Sequence, residues 1–159
     1  MKQKNQHHPW LSGLVLCAAF TSHAFGQALV SESEARIYGT ELAPASTATI
    51  ESPPNAPTIL VVKPDVEHLQ QSPVALQLLV IPADGAQIAW ESVKLSYGSL
   101  RFNITDRFLK IAKRTQSGFK VEHLEVPNGT HRLLFRIRDS KNRWGSREFV
   151  LRIAGTTSP

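Results

Sequence analysis

Apolar side chains recur at every second position through most of the C-terminal two thirds of the chain. Val93, Leu95 and Tyr97 alternate with Lys94 and Ser96. Leu100, Phe102 and Ile104 alternate with Arg101, Asn103 and Thr105. Leu133, Phe135 and Ile137 alternate with Arg132, Arg136 and Arg138, and Phe149, Leu151 and Ile153 alternate with Glu148 and Arg152. A period of two places one face of a strand in a core and the other in water. Two denser apolar runs, Thr58 to Lys63 and Val74 to Ile81, end at Pro64-Asp65 and Pro82 and also read as strands. Turn chemistry separates the runs at Ala83-Asp84-Gly85-Ala86, at Gly98-Ser99 and at Pro127-Asn128-Gly129. Lys120 to Val126 alternates weakly.

One segment fits two patterns. Thr105-Asp106 can cap a short helix on which Phe108, Ile111 and Ala112 share a face, with Gly118 beyond it; a strand over 105–115 is the alternative. The count is therefore about seven short strands with turns between them, with or without one helix near 105–115. That predicts an all-β, antiparallel immunoglobulin-like sandwich. In the last hairpin the expected register sets Ile137 opposite Phe149 and Arg138 opposite Glu148. Asp139 to Gly145 then forms the loop, with Trp144 in it.

The first 28 residues have a different pattern. Lys2 and Lys4 precede an apolar run from Leu11 to Phe20, about half the length of a membrane span. Ser22-His23-Ala24 and Gly26-Gln27-Ala28 are two cleavage sequences of the A-x-A kind. A Sec-type signal peptide over 1–28 is expected, cleaved after Ala24 or Ala28, and with it a periplasmic or secreted location. Cys17 is the single cysteine and lies within this run, so the mature chain is expected to have no thiol. From 29 to 56 the chain is rich in Ala, Ser, Thr and Pro and reads as a flexible tether, with an edge strand around Arg36-Ile37-Tyr38 as the alternative. Residues 57–154 form the folded domain, and 155–159 a disordered tail.

Charge sharpens this division. The whole chain carries 18 Lys plus Arg against 13 Asp plus Glu. Residues 29–56 hold four glutamates and one arginine, whereas 57–154 hold 15 basic and 9 acidic residues. An acidic tether thus precedes a basic domain. The basic residues cluster at its end: Arg132, Arg136 and Arg138 on one strand, and Arg143, Arg147 and Arg152 with Trp144 on the returning loop and strand. Guanidinium groups beside an indole suit sugars, anionic polymers or a partner protein. The competing reading is a solvated sheet face whose long stems cover apolar surface. Export removes most nucleic-acid partners, so none is expected. His68, His123 and His131 are scattered, and the carboxylates have no metal-ligand spacing, so neither a metal nor another cofactor is expected. No serine lies in a nucleophile motif.

The closing motifs, Pro127-Asn128-Gly129-Thr130-His131 and Arg138-Asp139-Ser140-Lys141-Asn142 before Phe149, together with Pro57-Thr58-Ile59 and Ser72-Pro73, resemble bacterial immunoglobulin-like (fibronectin-III-like) modules of exported proteins. The likeness spans about Pro57 to Ile153. It implies a binding, spacer or accessory role without shared catalytic residues. The expected function is a non-catalytic interaction module that recognises a protein or an anionic envelope polymer through a basic sheet face. A structural spacer or accessory subunit of an envelope complex is the alternative, and a small hydrolase the further one.

Overall fold

The computed structural model describes residues 28–39 and 52–155. The expected signal peptide therefore lies outside the described residues except for Ala28, as do most of the tether's second half and all of the tail beyond Gly155.

Among the described residues, eight strands form two antiparallel sheets. One contains β1 (Thr58–Lys63), β2 (Val74–Ile81), β6 (Gly118–Leu124) and β5 (Lys113–Thr115) in the order β1-β2-β6-β5. The other contains β3 (Ile88–Tyr97), β4 (Phe102–Asn103), β7 (Gly129–Asp139) and β8 (Trp144–Ile153) in the order β4-β3-β7-β8. The order is that of strands A-B-E-D against C′-C-F-G in an immunoglobulin-like sandwich. The alternation seen in the sequence fixes which side chains turn inward. Leu76, Leu78 and Val80 meet Leu95, Phe135, Ile137 and Leu151 between the sheets, all nearly inaccessible to water. Each such side chain stabilises the fold by roughly 1.5–3 kcal/mol relative to exposure.

The ambiguous segment resolves into both of its readings. Helix α2 (Thr105–Ile111) is followed directly by β5. Phe108 is fully buried and meets Phe119 and Phe135 at ring distances of 5.5 and 6.1 Å, so the helix plugs the open side of the sandwich. The Asn103 side chain accepts the Thr105 amide and hydroxyl, while Thr105 Oγ1 in turn accepts the Leu95 amide. The expected strand through Leu100, Phe102 and Ile104 is cut to two residues. Arg101 takes a left-handed conformation (φ 56°), which turns the chain into β4 and leaves Leu100 exposed.

The N-terminal part of the expected tether is folded onto the domain. Leu29 and Val30 are 1% and 2% exposed, and helix α1 (Glu32–Tyr38) follows them where the alternative was an edge strand at Arg36-Ile37-Tyr38. The helix starts in a capping box: Ser31 Oγ accepts the Glu34 amide and the Glu34 carboxylate accepts the Ser31 amide. Glu34 also takes both of its carboxylate oxygens to Arg107 Nη1 of α2 at 2.9 and 2.8 Å. The Arg107 hydrogen bond, with that of the Ser31 amide, holds the Glu34 carboxyl at about 2.

The final hairpin has a register four residues away from the expected one. Leu133 faces Phe149, Ile137 faces Gly145 and Arg138 faces Trp144; Glu148 lies opposite Leu134 rather than Arg138. A shift of four preserves which face each residue occupies, so burial does not distinguish the two registers. The turn does. Asp139, 1% exposed, accepts the amides of Lys141 and Arg143 and the Arg143 Nε, and Asn142 adopts φ 60°. These bonds close the hairpin within Asp139–Arg143 and pull Trp144 into the first position of β8.

Candidate functional site

The outer face of β3, β7 and β8 carries the charged side chains. Lys94 lies directly opposite Arg136, and Arg138 opposite Trp144. Around the Trp144 ring stand Arg136 Cζ at 4.9 Å, Lys94 Nζ at 5.1 Å and Arg138 Cζ at 5.9 Å from the ring centroid. Among the described residues, no carboxylate lies within 4 Å of these three cations. The Nε atoms of Arg136 and Arg138 are shielded from solvent and have no hydrogen-bond acceptor.

The electrostatics of this arrangement are unfavourable without a further group. Arginines two apart on a strand are about 7 Å apart. Unit charges at that distance repel by about 0.6 kcal/mol in water, and by about 2.4 kcal/mol at an effective dielectric of 20. Each cation gains roughly 0.5–1 kcal/mol from an aromatic face at an exposed site. The ring therefore offsets much of the repulsion but supplies no negative charge. An anion placed over the cluster meets three positive groups already gathered by the sheet.

The six expected arginines do not form one site. Arg132 lies on the same outer face, but it bonds Glu148 at 3.3 Å, and Arg101 bonds the other oxygen of Glu148 at 2.6 Å. Leu134, an outward residue directly opposite Glu148, is only 5% exposed. This half of the face matches the reading of long stems over apolar surface. Arg143 bonds Asp139 at 2.7 Å within the hairpin turn. Burial by itself would raise the Asp139 carboxyl, but hydrogen bonds from the Arg143 amide, the Arg143 side chain and the Lys141 amide outweigh it and hold the group below its ordinary value. Arg147 lies opposite Phe135, an inward-facing position, and escapes to solvent at the edge of β8. Arg152 is eight residues along β8 from Trp144, about 27 Å, and reaches the Val66 carbonyl. Lys94 was missing from the expected set, although its alternation with Val93 and Leu95 placed it on the polar face.

Among the described residues, the one buried histidine is engaged inside the fold. His131 Nε2 lies 2.7 Å from the Pro127 carbonyl, which can only accept, so Nε2 carries the proton. Nδ1 then accepts the Tyr97 hydroxyl at 3.0 Å. His131, near the start of β7, thus ties that strand back to the turn before it. Burial depresses the His131 imidazole against the opposing effect of the Pro127 carbonyl, and burial pushes the Tyr97 phenol up to about 12 with help from the Glu34 charge. Among the described residues, no group of three His, Cys, Asp or Glu side chains is placed to hold a metal ion, and no helix is long and apolar enough to cross a membrane.

Comparison with protein-family models, with curated proteins and with solved structures returned no significant match.

Proposed function

We propose that this chain is an exported, non-catalytic binding module that holds an anionic envelope polymer on the outer face of β3, β7 and β8. The observation that carries this reading is the cluster of Lys94, Arg136 and Arg138 around Trp144 with no carboxylate within reach among the described residues. The immunoglobulin-like strand order is compatible with such a role, since these sandwiches serve many binding functions. The occupied ring favours an anion over a neutral sugar, because three cations already compete for the indole. An acidic protein surface is the second ligand class that the same charges accept.

The test is capture of the mature protein on an anionic polymer at low and high salt. Binding falls steeply with salt, because the Debye length shrinks from about 10 Å at 0.1 M to about 3 Å at 1 M. Arg136→Glu with Arg138→Glu weakens capture at low salt by at least about tenfold while the thermal melt is retained. Capture by that variant at the wild-type level refutes the proposal. Deleting 29–57, which would separate a tethered spacer from a binding module, is not a clean test, because it removes the buried Leu29, Val30 and Ala35.

A further inference from the structure

A second concentration of positive charge lies on the other sheet. Lys113 of β5 and Lys120 of β6 are direct cross-strand partners. Like charges in that position destabilise a strand pair. Lys110, at the end of α2, and His123 line the same groove, which has a volume of about 520 Å³. Glu122 is its single carboxylate and is taken by Lys120 at 2.6 Å. The Lys120 hydrogen bond, with the Lys113 and His123 charges, keeps Glu122 below its ordinary value. Among the described residues, Lys110 and Lys113 have no carboxylate within 4 Å. The groove therefore holds three ammonium groups against one carboxylate.

The side chains also indicate the kind of anion. Ammonium groups on flexible stems act as movable point charges that can each meet a successive singly charged phosphate along a polymer, whereas the rigid arginine fork grips one carboxylate or phosphate group bidentately. Val121 and Phe119 of β6 point into the core, so Lys120 and its partner Lys113 point outward, away from the other sheet. With sheets about 10 Å apart and side chains projecting from both outer faces, the groove and the Trp144 cluster are at least about 20 Å apart. One phosphate group cannot touch both.

We propose that the groove bounded by Lys110, Lys113 and Lys120 is a second oxyanion site, for a phosphate-bearing polymer, and that it faces away from the Trp144 cluster so that one chain joins two polymer molecules. The bridging rests on the function proposed above; the groove does not.

Titration with tripolyphosphate tests the two sites separately, and light scattering with long-chain polyphosphate tests bridging. The wild type takes up two equivalents and scatters. Lys113→Ser with Lys120→Ser takes up one, as does Arg136→Ser with Arg138→Ser, and neither variant scatters although each still binds the polymer. All four side chains lie on outer faces, so melts matching the wild type confirm the fold. Two equivalents retained by the lysine variant overturn the groove. A single equivalent in the wild type that disappears with the arginine variant also overturns it and leaves the Trp144 reading intact. A single equivalent that disappears with the lysine variant supports the groove but refutes both the Trp144 reading and bridging. No uptake by the wild type overturns both sites.

Discussion

Arg143 and Arg138 are five residues apart on one hairpin, yet they serve opposite ends. Arg143 bonds a buried carboxylate in the turn; Arg138 lies beside an indole with no carboxylate near it among the described residues. The same contrast divides the other basic residues. Arg101 and Arg132 share Glu148, and Arg107 clamps Glu34, whereas Lys94 and Arg136 join Arg138. Paired arginines hold turns and helices in place and contribute to stability. Unpaired ones add repulsion to the folded state and are useful only when a ligand supplies the missing charge.

Removing a paired charge from the interior breaks this contrast most strongly. Asp139→Ala leaves two amides and the Arg143 side chain without their acceptor, which lowers the thermal midpoint by about 5–10 °C in a thermal melt. The converse change, Arg136→Ser with Arg138→Ser, weakens capture of an anionic polymer at low salt by at least about tenfold and moves the midpoint by no more than a degree or two.

Acid tests the folded state in another way. The His131 imidazole is depressed in the folded state, so the unfolded chain binds a proton that the folded chain does not. Stability is full above the ordinary histidine value of about 6.5 and falls as pH drops through it. Glu34 and Asp139 have the opposite chemistry but the same outcome: carboxyls held low in the folded state contribute stability above their ordinary values, and that contribution is lost as pH falls towards their folded values. Melts between pH 8 and 5 should therefore show a first loss that His131→Gln removes, and melts below pH 4.5 a second one that Glu34→Gln reduces.

The smallest expected effect sharpens the comparison. Glu148→Gln frees Arg101 and Arg132 and costs about 0–1 kcal/mol, as for other part-exposed ion pairs. It extends the unpaired half of the face, so polymer capture persists to higher salt than in the wild type. Unchanged salt sensitivity would mean that the paired half plays no part even when released.

Much of the architecture was legible because a strand repeats every two residues. Inward positions such as Phe135, Ile137 and Leu151 are apolar and outward positions are polar, so each strand announces its own faces. Helix α1 also left a signal, Ser31 followed by Glu34 at capping-box spacing, but its Ala- and Ser-rich surroundings resembled a linker. Its stability comes from Leu29 and Val30 entering a core built by residues far along the chain. Lys94 could have been found by the same alternation that exposed Arg136. The separation of paired from unpaired arginines could not, because Glu148 meets Arg101 across 47 positions of sequence.

The order of apolar and polar residues by itself determined which side of each strand meets the core, since turning a strand over would expose several large apolar side chains. It did not determine which residues stand opposite one another, because sliding a strand by four positions preserves every face. The Asp139 turn chose the register, and with it put Trp144 beside Arg138 and Glu148 near Arg132. Only the folded chain decides which cations find carboxylates, because an ion pair depends on distance in space, and the distance is set by a turn and by strands that close in from remote parts of the sequence.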